Sequence, residues 1–249
     1  PTPTKAPVPF ISSPSGTGVT YGKVHTDKGD FTATVMSIDL NTTRVITDTA
    51  NDSDCGNDCP VTSLQDFVNK NCGFAGVSGT YQCPASYPDC ASKKNSFDLP
   101  VYNSRLSKWI NGGNLSWGER RAIFYVDGSG AHYQNSSQGF GGGVNAALVN
   151  YPGLLDNGNV QIDDNQSGLA TKQSARGLKL GIGVKDNNHI LVVAGYSVNL
   201  LEFAHIFKSL GAKGALNLDP GGSTAVYFNG RYVLGPGRAI PNAIIFARK

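Results

Sequence analysis

Alternation of apolar and polar positions organises most of the chain. Phe31, Ala33 and Val35 share one face of an extended segment and Thr32 and Thr34 the other, which is the period of a half-buried strand. On that criterion strands are predicted over residues 19–26 and 30–40, with Lys28-Gly29-Asp30 at the turn. Further strands fall at 73–81, 101–110, 122–126, 131–134 and 144–150. Hairpins are predicted at 179–184 with 190–194 and at 225–228 with 231–234, and short apolar strands at 216–218 and 243–246. Asp127-Gly128, Asn157-Gly158, Asp186-Asn187-Asn188 and Asn229-Gly230 supply the turns between them. Two segments switch to the helical period. Thr62-x-x-Gln65 reads as a capping box opening a short helix with Leu64, Phe67 and Val68 on its apolar face, ending near Asn71. Asn199-x-x-Glu202 opens a second, with Leu200, Leu201, Phe203, Ala204, Phe207 and Leu210 apolar and Gly211 as its stop. His205 makes a lone Glu-x-x-His with Glu202 and reads as a surface or half-buried helix residue. The pattern predicts an α+β fold: a single domain over 15–249, with a mixed, largely antiparallel sheet rich in hairpins and two or three packed helices.

Composition narrows the setting. A net charge of +3, without a dense basic stripe interleaved with aromatics, argues against nucleic acid as a partner. No apolar run approaches the roughly 20 residues that span a bilayer, so no direct membrane insertion is expected. Residues 1–14 are rich in Pro, Thr and Ser and read as a stiff, extended linker that could tether the domain to a surface. The five cysteines, Cys55, Cys59, Cys72, Cys83 and Cys90, lack the paired C-x2-C of a zinc ribbon, and no His lies nearby. Disulfides, and with them an extracytoplasmic, secreted or surface setting, are the expectation. Cys55 and Cys59 flank the tight turn Gly56-Asn57, and Cys83 and Cys90 enclose a loop with Pro84 and Pro88. These two pairs are predicted bonded and Cys72 free. No metal is expected, although the acidic, turn-rich stretch 51–59 superficially suggests a calcium loop. Asn-x-Ser/Thr sequons stand at Asn41, Asn51, Asn114, Asn135 and Asn165.

Chemistry concentrates at 216–230, LNLDPGGSTAVYFNG. A buried strand runs into Asp219-Pro220-Gly221-Gly222, and Ser223 and Thr224 add hydroxyls before the next strand. One carboxylate, two hydroxyls and free backbone N–H groups on a tight turn can form an anion-binding nest beside an acid or base. An ordinary β-turn with Asp in its first place is the plain alternative. The chain carries neither G-x-x-x-x-G-K-[ST] nor G-x-S-x-G, since Gly76-Val77-Ser78-Gly79 misses the latter.

The order helix, Gly, apolar strand, Asn-Leu-Asp-x-Gly-Gly-Ser-[Ser/Thr], strand, Asn-Gly resembles the phosphodiester glycosidase family. That family includes the lysosomal uncovering enzyme, which removes N-acetylglucosamine from a phosphodiester, and many bacterial surface proteins. The resemblance spans roughly residues 30–249 and is tightest from 176 onward. Ser78-Gly79-Thr80-Tyr81 occupies the family's Asn-Gly slot, with Ser78 replacing the usual Asn. Pro220 replaces the first of three glycines, and Ala194 stands where an Asp is usual. The resemblance implies a sugar-phosphate or glycan substrate and hydrolysis of the bond between an anomeric carbon and a phosphodiester. It also implies Asp219 as general base or nucleophile, with Arg176 and Glu202 beside it. Gly79, Thr80, Tyr81, Gly221, Gly222, Ser223 and Thr224 would hold substrate, and Arg176 and Lys179 compete for the family's phosphate-facing Arg. The departures at Ser78, Ala194 and Pro220 keep a second reading open: an inactive surface glycan- or sugar-phosphate-binding module.

Overall fold

The computed structural model describes residues 9–12, 14, 16–117 and 121–249. Residues 1–8 and 13 of the predicted linker lie outside it. Pro9 and Ile11 hydrogen bond along Lys23.

The first strands are β1 (Gly18–Thr26), β2 (Gly29–Asp39) and β3 (Thr43–Thr49), followed by helix α1 (Leu64–Lys70) and β4 (Ala75–Ser78). Next come β5 (Val101–Asn103), β6 (Lys108–Ile110), β7 (Ala122–Asp127), β8 (Gly130–Gln134) and β9 (Ala146–Asn150). β10 (Gly153–Asp156) and β11 (Asn159–Val160) precede helix α2 (Thr171–Ser174), β12 (Gly177–Asp186) and β13 (His189–Val198). Helix α3 (Leu200–Ser209) leads to β14 (Gly214–Asn217), β15 (Val226–Phe228), β16 (Arg231–Leu234) and β17 (Asn242–Arg248).

These strands form three sheets: β1-β2-β13-β12-β14-β10-β11, β16-β15-β4-β17-β3 and β6-β5-β9-β7-β8. Hydrophobic burial on both faces stacks them. Ala33, Val35 and Val193 of the seven-stranded sheet pack on Phe203 and Phe207 of α3. The opposite face, with Met36, Ile38 and Val192, meets Val77 and Phe246 of the second sheet and Phe124 and Leu148 of the third in one core. Leu64, Phe67 and Val68 of α1 close the outer face of the second sheet on Tyr227 and Ile245.

The structure corrects the sequence reading in several places. β2 is buried on both faces, not half-buried, because α3 covers one and the other two sheets cover the other. The first turn is Asp27-Lys28, with Gly29 already paired to Thr26. α1 is capped one residue later than predicted: Ser63 accepts from Asp66 N at 3.0 Å, and the Asp66 carboxylate accepts from both Ser63 and Thr62 hydroxyls. The stretch 101–110 is a hairpin of two short strands rather than one strand. His205 is buried and faces the Asp27 carboxylate. β3 went unread because four of its five buried positions, Thr43, Thr47, Asp48 and Thr49, are polar, Val45 being the fifth. Those polar groups are satisfied inside: Asp48 accepts from Asn71 at 2.9 Å and Asn103 at 3.0 Å.

Cys55 is bonded to Cys59 and Cys83 to Cys90, and Cys72 is free and exposed, as their spacing predicts. In the acidic stretch 51–59, Asp52 pairs with Arg105, and Asp54 accepts from Asn111 N at 2.6 Å. Among the described residues no group of three or more His, Cys, Asp or Glu is placed to hold a metal, and no helix is long and apolar enough to cross a membrane.

Candidate active site

β14 belongs to the seven-stranded sheet and β15 to the second sheet, so the turn between them carries the chain from one layer to the next. Leu218 N still donates to Leu180 O of β12, whereas Asp219 N donates to Gly79 O in the loop after β4. Asp219 therefore sits at the seam, and the two motif loops lie side by side. Pro220 cannot continue the ladder, Gly221 adopts φ +67° and 221–223 form a single 3-10 turn. Ser78 Oγ accepts from Ala225 N at 3.2 Å, and Gln82 Nε2 donates to Ser223 Oγ at 3.3 Å, tying the loops together.

Buried asparagines hold this seam. Asn242 accepts from Thr80 N at 2.8 Å and donates to Thr80 Oγ1 at 3.0 Å. Asn150 donates to Asn217 O at 2.7 Å, and Asn217 donates to the Tyr81 hydroxyl at 2.7 Å.

A cleft of about 390 Å³ opens over the seam, lined by Asp219, Ser223, Arg238, Arg176, Lys179, Tyr81 and Tyr87 among others. Burial raises the Asp219 carboxyl to about 7, opposed by the Ser223 side chain and then by the Arg238 guanidinium. Burial, and behind it the Asp219 charge, pushes the Tyr81 hydroxyl well above the usual phenol range, so it stays protonated. Arg238 lies close over the seam. Its backbone N–H donates to Gly222 O at 2.8 Å, and a Cβ on Gly222 would stand 2.2 Å from its Nη2. Tyr87, from the loop closed by Cys83–Cys90, spans the cleft rim between two cations, with Arg238 5.1 Å and Lys172 5.4 Å from its ring centre.

The predicted site residues divide into two groups. Asp219, Tyr81, Gly221, Ser223, Arg176 and Lys179 line the cleft. Gly79, Thr80 and Thr224 lie behind its wall, where Thr80 and Thr224 are buried and Asn242 fills the space beside Gly79. Gly222 leaves room for Arg238. Glu202 does not line the cleft. It closes the α3 capping box with Asn199 at 3.0 Å and pairs with Arg176, whose other nitrogen donates to Ser197 O at 2.6 Å. Lys179 is buried, donates to Gln173 O and Ala175 O at 2.8 Å each, and has its pKa lowered by burial. Two of its three donors are thus spent on backbone, and Arg176 is likewise tied to Glu202 and Ser197 O, so Arg238 is the cleft guanidinium placed beside Asp219. Arg238, Tyr87, Lys172, Gln173 and Gln82 had no distinguishing signal in sequence; Arg238 stands in a Pro-Gly-Arg turn that reads as plain loop.

A phosphodiester glycosidase family model matches residues 96–247, more than half of the chain. Among solved structures, the catalytic domain of zebrafish N-acetylglucosamine-1-phosphodiester alpha-N-acetylglucosaminidase, auto-inhibited by its pro-peptide, superposes with a TM-score of 0.70 at 14% identity, covering 96% of this chain and 86% of that one. A hypothetical protein from Synechocystis matches with a TM-score of 0.57 at 14% identity over 93% of this chain. The present chain spans 62% of that relative's length. No curated protein sequence matches the chain.

Proposed function

The chain belongs to the phosphodiester glycosidase family, and on that premise we propose that it hydrolyses the bond between a sugar's anomeric carbon and a phosphodiester on an extracytoplasmic glycan or glycoconjugate. The observation that carries the reading is the placing of Asp219: a buried carboxyl titrating near neutrality, at a cleft wall that also presents guanidinium groups. A general acid or base works best with its pKa near the working pH.

The reaction divides between these groups. Arg238 holds the phosphodiester anion, since a guanidinium pairs with phosphate oxygens through two parallel N–H bonds, while Arg176, tied to Glu202 and Ser197 O, adds positive charge to the cleft lining. Water attacks the anomeric carbon and gives its proton to the Asp219 carboxylate. The C1–O bond breaks, and its electron pair leaves on the phosphate monoester. That leaving group has a second pKa near 6, so it departs without a strong general acid. This accounts for a cleft with one carboxyl where ordinary glycosidases carry two. Tyr81, kept protonated, donates a hydrogen bond within the same site.

Two of the three departures from the family pattern lie away from the cleft: Ser78 is buried with its hydroxyl accepting from the backbone of Ala225, and Ala194 is buried within β13, whereas Pro220 lines the cleft beside Asp219. The two disulfides support an oxidising, extracytoplasmic setting.

The test is release of reducing sugar from N-acetylglucosamine-1-phosphate methyl ester. We expect turnover by the wild type and a loss of about 10²-fold or more in kcat/KM for Asp219→Asn, the scale of removing a positioned acid–base group. An unchanged rate in the variant would remove Asp219 from the mechanism. Binding without turnover in the wild type would return the chain to the binding-module reading.

A further inference from the structure

A cavity of about 670 Å³ opens at the end of the molecule opposite the Asp219 seam. Two strands fix its place. Thr49, at the end of β3, pairs with Asn242, which holds Thr80 at the seam, whereas Arg44 and Val45 at the start of β3 line the cavity. Asn150, at the end of β9, donates to Asn217 O at the seam, whereas Asn145, just before β9, lines the cavity. Among the described residues none lines both this cavity and the Asp219 cleft.

The lining carries three cations, Arg44, Lys70 and Arg105, and no carboxylate. They come from β3, the end of α1 and the turn between β5 and β6. Two carboxylates stand outside the lining. Asp48 is fully buried and accepts from Thr49 N, Asn71 and Asn103 within 3.0 Å, with Lys70 at 3.3 Å and Arg105 at 3.7 Å. Asp52 pairs with Arg105 Nη2. These pairs station the two side chains without using them up, since an ammonium has three donors and a guanidinium five. Arg44 is exposed and has no carboxylate partner among the described residues. It also lines the adjoining cavity of about 300 Å³, where Asp127 and Lys249 offset one another. The balance at this end is positive. The half-buried Tyr102 and the polar side chains of Asn71, Ser107 and Asn145 complete the lining used below.

We propose that this cavity binds an acidic glycan, a short run of carboxylated or phosphorylated sugars, separately from the reaction at Asp219. The cations pair with its acidic groups, Tyr102 offers a ring for a sugar to lie against, and Asn71, Ser107 and Asn145 stand at the same lining for its hydroxyls. The volume is that of a pocket for an organic ligand and well beyond what one oxyanion fills. The inference does not depend on the catalytic reading, so either can fail alone.

Cys72, the chain's one free thiol, lies in the same lining and reports occupancy. Three probes separate charge from ring: tetragalacturonate carries both, maltotetraose the rings without the charge, and tetraglutamate the charge without the rings. Tetragalacturonate should bind in calorimetry, slow the alkylation of Cys72 by the neutral reagent iodoacetamide, and bind less well as salt rises. The other two should bind about tenfold more weakly or worse. Arg44→Ala should weaken tetragalacturonate about tenfold, the scale of one charge-assisted hydrogen bond. Arg231→Ala, on the opposite edge strand of the same sheet, should leave it unchanged. No protection of Cys72, or an Arg44→Ala variant that binds as tightly as the wild type, would overturn the site. Equal binding of maltotetraose would remove the role of charge, and equal binding of tetraglutamate would make the ligand an acidic peptide; either overturns the glycan assignment.

Discussion

Asp219 couples activity to stability. A free Asp titrates near 3.8 and this one, when folded, near 7, because burial disfavours its charge. Between those values the unfolded chain holds fewer protons than the folded one, so stability falls as pH rises through the window from 3.8 to about 7 and stays lower above it. The full contribution is present below the unfolded value. Each unit of difference is worth about 1.4 kcal/mol, so the cost at alkaline pH is on the order of a few kcal/mol. Asp219→Asn, which cannot ionise, should melt above the wild type at pH 8 and together with it at pH 4. Thermal unfolding across that range checks this, and coincident curves at pH 8 would mean that the carboxylate is already compensated by its neighbours. The same group should set the rate profile: as a general base it is active when deprotonated, so kcat/KM should rise with pH and level off above about 7.

β12 shows how one element's composition lets another approach. Gly181 and Gly183 lie beneath α3, where a Cβ on Gly183 would stand 2.7 Å from Phe207 Cδ1, and one on Gly181 would stand 3.0 Å from Phe203 Cε1. The two phenylalanines, themselves in contact at 5.2 Å between ring centres, fill the space left by the missing side chains. Gly183→Ala should therefore cost about 1–3 kcal/mol, the usual penalty of overpacking a filled core. Gly128→Ala, in a turn with nothing within 4 Å of the added carbon, serves as the control and should stay within about 0.5 kcal/mol. Urea denaturation of the two variants reads the difference. Equal midpoints would mean that α3 can slide on the sheet. Because Leu218 N donates to Leu180 O in the same strand, the seat of α3 on β12 also bears on the turn that holds Asp219.

At the level of the whole molecule, the three sheets share one core, α3 and α1 pack separate clusters on outer faces, and the disulfides sit in loops outside the shared core. They differ in what they touch. Cys83–Cys90 closes the loop that carries Tyr87 over the cleft, whereas Cys55–Cys59 does not line it. Loop-closure entropy assigns each about 2 kcal/mol. Replacing Cys83 and Cys90 by Ser should lower the melting temperature and also kcat/KM, as Tyr87 loses its station between Arg238 and Lys172. Replacing Cys55 and Cys59 by Ser should lower the melting temperature alone. Paired melting curves and sugar-release rates distinguish the two, and equal rates in both double variants would show that Tyr87 needs no covalent tether.

Much of this was open to reading in the chain. Strand alternation, the Asn-Gly turns and the Asn199–Glu202 capping box are local effects of backbone sterics and side-chain period, and the hairpins and α3 follow from them. The short cysteine loops are local too. The motif turn at Asp219 was legible because Pro and two glycines must break a strand wherever they occur. Other features depended on contacts between segments distant in sequence. β3 is a strand because β17 pairs with it and buried asparagines satisfy its polar side chains. The cap made by Glu202 is local, but its pairing with Arg176 is not, and Lys179 looks available in sequence although the fold commits it to two carbonyls. Arg238 reads as a loop cation and becomes a cleft residue only because the last turn folds back over Gly222. The raised pKa of Asp219 is likewise a property of burial, which exists only once β4, β12 and β14 meet around it.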